Sequence, residues 1–120
     1  MRWSILMPVL ALLPAAHAQA PGKTVNELKA FYAANCAKCH GPDGSGRSAE
    51  GKRLNSMDFT DAAKMARESD AMMVKTIRKG IFFGVVMHPF KKRLTQAEAL
   101  LLVQGVLRKA EKGKVITSAQ

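Results

Sequence analysis

Apolar positions recur at helical spacing in four stretches of the chain, separated by turn-rich segments. Residues 24–35 read as a helix: Thr24 and Glu27 form a capping box, and Val25, Leu28, Phe31 and Tyr32 make one apolar face. After His40, Gly41-Pro42-Asp43-Gly44-Ser45-Gly46 is a turn-rich loop, and residues 47–57 are polar and basic. Thr60 is placed to cap a short helix ending near Arg67. Ser69 is placed to cap another from about Asp70 to Lys79, with Met73, Val74, Ile77 and Ile81 on one side and Gly80 as its stop. Residues 81–93 read as a loop with Gly84 and Pro89. Thr95 and Glu98 form a second capping box, opening a last helix with Ala97, Leu100, Leu101 and Leu107 as its apolar face, and Gly113 follows its end. No strand pattern and no internal repeat appear, so the expected fold class is all-α, with several short helices and long loops.

The first stretch of the chain has a different pattern. Arg2 is the only charge before Lys23, and Trp3 to Ala16 is almost wholly apolar. That run is shorter than the roughly 20 residues a membrane-spanning helix needs, and Pro8 and Pro14 interrupt it. Ala16-His17-Ala18 supplies the small-x-small pattern of a signal-peptide cleavage site. The expectation is a cleaved signal peptide at 1–18, with an uncleaved anchor as the rival reading. Removing 18 of the 120 residues leaves 102, a single domain over 19–120 with its core at about 23–110.

Composition narrows the class further. Lys and Arg number 19 against 9 Asp and Glu, a net charge of +10, while 48 % of residues are hydrophobic. A disordered basic tail is excluded by that apolar content, and a large α/β enzyme by the length. Two Cys are too few for a disulfide scaffold.

Both Cys lie in the pentapeptide Cys36-Ala37-Lys38-Cys39-His40, the C-x-x-C-H pattern of covalent haem attachment. Thiols three positions apart reach the two vinyl groups of one porphyrin, and the next residue sits beneath the iron with an imidazole to ligate it. Three rival readings fit less well. A thioredoxin-like pair needs a strand before the first Cys and a helix after it, the reverse of the order here. A structural zinc site needs four ligands, and Cys39 and His40 are adjacent. A disulfide within C-x-x-C would be strained and would leave His40 without a role.

With these residues the chain resembles the class I monohaem cytochromes c, in the branch of c6-like and cbb3-associated domains. The resemblance covers roughly residues 23–110. It rests on CAKCHGPDGSG at 36–46, DFTD at 58–61, IRKGI at 77–81, MHPF at 87–90 and the helix opened by Leu94-Thr95. It implies the cytochrome c fold, with first and last helices crossing and one covalent haem c in a cleft. Cys36 and Cys39 are then the thioether anchors and His40 the proximal iron ligand. The family takes its distal ligand from a Met in the loop before the last helix, which implies Met87, while Met57, Met65, Met72 and Met73 are expected to pack.

Three departures from the family pattern stand out. His88 occupies the place where Pro usually follows the ligand Met, and is a minor alternative as ligand. Gly105 stands where many relatives carry an aromatic, with Phe31 or Tyr32 expected to approach it. The usual Pro whose carbonyl orients the proximal His is missing, so the partner of His40 is not identified.

Lys75, Arg78 and Lys79 share a helical face, and Lys91-Lys92-Arg93 follows the Met87 loop. Such a basic surface steers a carrier towards acidic redox partners. Nucleic-acid binding fits poorly, because no aromatics are interleaved with the basic residues; contact with an anionic membrane surface is a secondary expectation. The expected function is that of a soluble periplasmic one-electron carrier, not an enzyme. The alternatives are a subunit of a dehydrogenase or oxidase and a peroxidase-like haem site with an open sixth position.

Overall fold

A computed structural model describes residues 22–119. The expected signal segment 1–18 lies outside the described residues. Helix α1 spans Val25–Asn35, α2 Ala37–His40, α3 Ala62–Arg67, α4 Asp70–Lys79 and α5 Gln96–Gly105. Among the described residues there is no β-strand, only isolated bridges pairing Arg47 with Arg53 and Ile81 with Met87.

The frame is α5 with α1 and α4 packed against it. Both expected capping boxes form. Thr24 Oγ1 accepts the amide of Glu27 at 3.1 Å, and Thr95 Oγ1 accepts the amide of Glu98 at 3.1 Å. Leu28, Phe31 and Tyr32 are buried as the apolar spacing of α1 requires. Where α1 meets α5, a side chain added at Gly105 would meet Val25 Cγ2 at 3.1 Å. The residue that approaches Gly105 is therefore Val25, not Phe31 or Tyr32, because the start of α1 lies over α5.

Glu98 also joins the two helices. Its Oε2 accepts the amide of Lys23 at 2.9 Å and pairs with Lys23 Nζ at 3.3 Å. These bonds hold its carboxyl at about 2, first through the amide of Thr95 and then through that of Lys23. The unfolded chain takes up this proton near the ordinary value of 4.5, so the stabilisation is complete above that pH and is lost as pH falls towards 2. Glu98→Gln is expected to lower stability at neutral pH by about 1 kcal/mol. Its urea-unfolding midpoint should converge on that of the parent as pH falls through this window.

Three local expectations need correction. Asp61, not Thr60, caps α3: its Oδ1 accepts the amide of Lys64 at 3.1 Å, while Thr60 donates to Asp58 Oδ1 through its amide and hydroxyl. Ile81 lies beyond α4 and is 38 % exposed; Met73, Val74 and Ile77 are the buried face. The core face of α5 is Ala99, Leu102 and Val103, continued by Val106 and Leu107, whereas Ala97 and Leu100 are exposed. The run Ala-Leu-Leu-Leu-Val is apolar all round, so neighbours rather than periodicity choose the face.

Two long-range ties hold the short elements. Arg108 bonds Asp70 Oδ1 at 2.6 Å and the carbonyls of Met65 and Glu68 at 2.9 and 2.6 Å, joining α3 and α4 to the end of α5. The C-terminal segment returns over the loop after His40. There the Gly113 amide donates to Asp43 Oδ2 at 2.8 Å, the Ile116 amide donates to the Pro42 carbonyl at 2.8 Å, and the Ile116 side chain is buried.

Between α4 and α5 the chain is more ordered than a plain loop. Ile81 and Met87 pair through bonds of 3.0 and 3.3 Å around a 3₁₀ turn over Phe82–Gly84. Phe90 then anchors the return: its amide donates to the Ile77 carbonyl at 3.0 Å, and its buried ring meets Phe31 edge-on at 5.4 Å. The Met87 backbone is thereby fixed at the base of this turn.

Candidate functional site

Helix α1 ends at Cys36, whose amide donates to the Tyr32 carbonyl at 2.8 Å. The next turn starts on the same residue, with the amides of Cys39 and His40 donating to the Cys36 carbonyl at 3.2 and 2.9 Å. A helical turn puts positions i, i+3 and i+4 on one face, so Cys36, Cys39 and His40 face the same way. All three line one cavity of about 400 Å³. The turn is closed by Gly41 at φ 86°, where any Cβ would collide with the Arg47 carbonyl. The Gly41 carbonyl is tied to the buried Tyr32 hydroxyl at 2.7 Å.

The other wall residues are mostly apolar or soft: Met57, Met72, Met73, Ile77, Val86 and Met87 among them. Of the methionines singled out in the sequence, Met65 is buried in the core and does not reach the cavity. Met87 and His88 both do. Met87 is half-buried, and His88 is exposed with its ring against Phe90 at 5.2 Å.

His40 has the partner that sequence reasoning left open. Its Nδ1 lies 3.3 Å from the Met57 carbonyl, and its ring stacks on Phe59 at 4.6 Å. A carbonyl only accepts, so Nδ1 carries the proton and the Nε2 lone pair is left for a metal. Burial holds His40 below the usual imidazole range, with the Met57 carbonyl opposing, so the ring is neutral and competent as a ligand. Met57 supplies this contact through its backbone, which no side-chain pattern reveals.

The rival chemistries do not fit. Burial, reinforced by Cys39, pushes the Cys36 thiol up to about 12, with Arg93 opposing; a redox-active pair needs a depressed value. The chain before Cys36 is helix α1, not the strand of a thioredoxin-like site. Among the described residues no group of three or more His, Cys, Asp or Glu is arranged to hold a metal ion. What the cavity does offer is two thiols and an imidazole on one helical face, a thioether on the loop after α4, and an apolar lining. This donor set fits a covalently attached haem, and the volume lies in the roughly 300–1,000 Å³ range of small-molecule sites.

Residues 23–104 match the family described as cytochrome c oxidase, cbb3-type, subunit III. Among solved structures, the KustC0563 c-type cytochrome is 35 % identical, with 68 % of this chain and 94 % of that chain covered and a TM-score of 0.55. A Tyr-to-Phe variant of Kustc0563 matches at 34 % identity, covering 66 % of this chain and 92 % of that one, with a TM-score of 0.52. No curated protein matches the chain. The chain belongs to the cbb3-type subunit III family of cytochrome c domains and is a class I c-type cytochrome. Its role is haem-based electron transfer, and its cofactor is covalently bound haem c with iron.

Proposed function

We propose that this protein is a periplasmic one-electron carrier with a single haem c. The observation that carries the reading is that Cys36, Cys39, His40 and Met87 share one apolar-lined cavity. Cys36 and Cys39 would hold the haem through thioether bonds, and His40, through Nε2, and Met87 would supply the ligands to its iron. When bound, haem c supplies a reversible one-electron couple. The chain supplies rigidity around it: Met57 and Phe59 fix the imidazole plane, and the Ile81 pairing fixes the Met87 backbone. A ligand set held in one geometry changes little between oxidation states, which keeps reorganisation small. A thioether is a weak, soft donor that favours ferrous iron and raises the potential. No bond-making step is assigned to these residues.

The apolar segment at 3–16 and the small-x-small site ending at Ala18 support export, and the excess of Lys and Arg supports partners with acidic docking surfaces. A redox titration with optical spectra, run on protein from the periplasmic fraction, tests the reading. The expected result is a single one-electron wave, a low-spin spectrum and a species of monomer size. Two waves, a high-spin spectrum that binds CO rapidly, or elution only within a larger complex would each overturn part of it.

A further inference from the structure

The loop between α4 and Met87 carries apolar side chains that the haem cavity does not use. Phe82, Phe83 and Val85 are 74, 106 and 87 % exposed, and none of them lines the cavity. The Ile81–Met87 pairing closes the base of the loop, so these residues form a projecting tip. Phe82 and Phe83 have φ of 51° and 53°, the left-handed region that large side chains avoid. The chain thus holds two aromatic rings in solvent at a conformational cost, without gaining core contacts.

The segment that carries the tip is cationic along its whole length. From Ala71 to Ala97 the sequence has no Asp or Glu. Lys75, Lys79, Lys91 and Lys92 are exposed, and no ion pair among the described residues includes them. Lys79 directly precedes Gly80 at the foot of the loop, and Lys91 returns beside it, its amide bonded to the Arg78 carbonyl at 3.1 Å. Apolar groups therefore lie at the tip and cations at its base. That is the order of depth in one leaflet of an anionic bilayer, with hydrocarbon beyond a layer of phosphates. A second copy of this chain would instead bring one lysine cluster against another. A convex tip also needs no shape-matched receptor. Among the described residues no helix is long and apolar enough to cross a membrane, so the contact this loop makes is interfacial.

We propose that residues 82–86 insert into the headgroup region of an anionic phospholipid membrane, with Lys79, Lys91 and Lys92 on the lipid phosphates. Docking here sets the cavity rim at Ile81, Val86 and Met87 next to the membrane surface. Electron exchange with membrane-bound partners is the purpose this serves, and that purpose rests on the carrier reading above.

The test is co-sedimentation of the haem-loaded exported protein with vesicles, after mass measurement shows that residues 1–18 have been removed. Vesicles of phosphatidylcholine with about 30 % phosphatidylglycerol are compared with phosphatidylcholine alone. Asn tolerates left-handed φ, so Phe82→Asn/Phe83→Asn removes the apolar tip without straining the loop. We expect binding to the anionic vesicles, weakened about tenfold or more in this variant. Lys91→Gln/Lys92→Gln should weaken it by a similar factor, and about 0.5 M salt should weaken the parent only partly. The proposal is overturned if the parent ignores anionic vesicles, if it binds neutral ones equally, or if the Asn variant binds like the parent. Each variant is reduced and reoxidised by small inorganic reagents in the absence of vesicles. Failure in that measurement strikes the carrier reading, and failure in sedimentation alone strikes the membrane contact.

Discussion

Replacing Cys36 and Cys39 together by Ser is expected to abolish covalent haem retention and most of the accumulated protein. In the parent, extraction with acidified organic solvent should leave all haem on the polypeptide; in the double variant it should leave none. The effect on the fold follows from the cavity. Its walls include Met57, Met72, Met73, Ile77 and Phe59, which the cofactor is there to cover. Without the cofactor these apolar walls face water in an open cleft of about 400 Å³, and the burial they would otherwise gain is lost. A domain is stabilised by only roughly 5–15 kcal/mol in all, so such a loss weighs heavily on the fold. A single Cys39→Ser change should behave differently. It leaves one thioether and the His40 ligand, so the haem stays attached while the fold loosens. Far-ultraviolet dichroism and haem staining of denatured protein read the two effects separately. A double variant that still carries haem through denaturation would sink the assignment of these two thiols.

The parts of the site that could be read from the sequence are those where side-chain identity carries the chemistry. Cys36, Cys39 and His40 are adjacent in the chain, and one helical turn suffices to gather them. Capping was legible where a single hydroxyl was available, at Thr24, Ser69 and Thr95. It failed at Thr60, because Asp58 engages both the amide and the hydroxyl of Thr60 and leaves the cap to Asp61. The buried face of α5 has no mark in its sequence, because apolar residues surround the helix and only the positions of α1 and α4 decide between Ala97 and Ala99. Long-range ties left no local mark. Arg108 looks like any surface cation until its three acceptors arrive from α3 and α4, and Ile116 looks like a frayed end until it closes over Pro42. The Met57 carbonyl was invisible for a plainer reason: every residue has one, and only the fold selects which points at His40. In the loop before Met87, the sequence called for an irregular segment and the structure has a paired one. Phe82 and Phe83 carry no turn signal, since their left-handed backbone is what propensity argues against.

Met87→Ala is expected to convert the low-spin haem to a form with a vacant sixth position. Three changes should appear together. The weak red-end absorption of thioether-ligated ferric haem disappears, the reduced protein binds CO rapidly, and the potential falls. The fall should be on the order of 0.1 V, a fraction of the roughly 0.8 V over which axial ligands set haem potentials. His88 is the control that gives this prediction its force, because it also borders the cavity and is a stronger donor. Geometry favours its neighbour. The Met87 amide and carbonyl are both bonded to Ile81, and its side chain is half-buried. The His88 ring is exposed and held edge-on to Phe90 at 5.2 Å. The pairing of Met87 with Ile81 closes the base of the loop and fixes the Met87 backbone at the cavity rim. His88→Ala should therefore leave the red-end band, the CO response and the potential of the parent unchanged. If Met87→Ala stays low-spin, and only Met87→Ala/His88→Ala opens the site, then His88 takes over when the thioether is gone. If His88→Ala alone removes the low-spin spectrum, the distal ligand is His88, and the potential of the parent should then lie in the lower range of bis-imidazole haem.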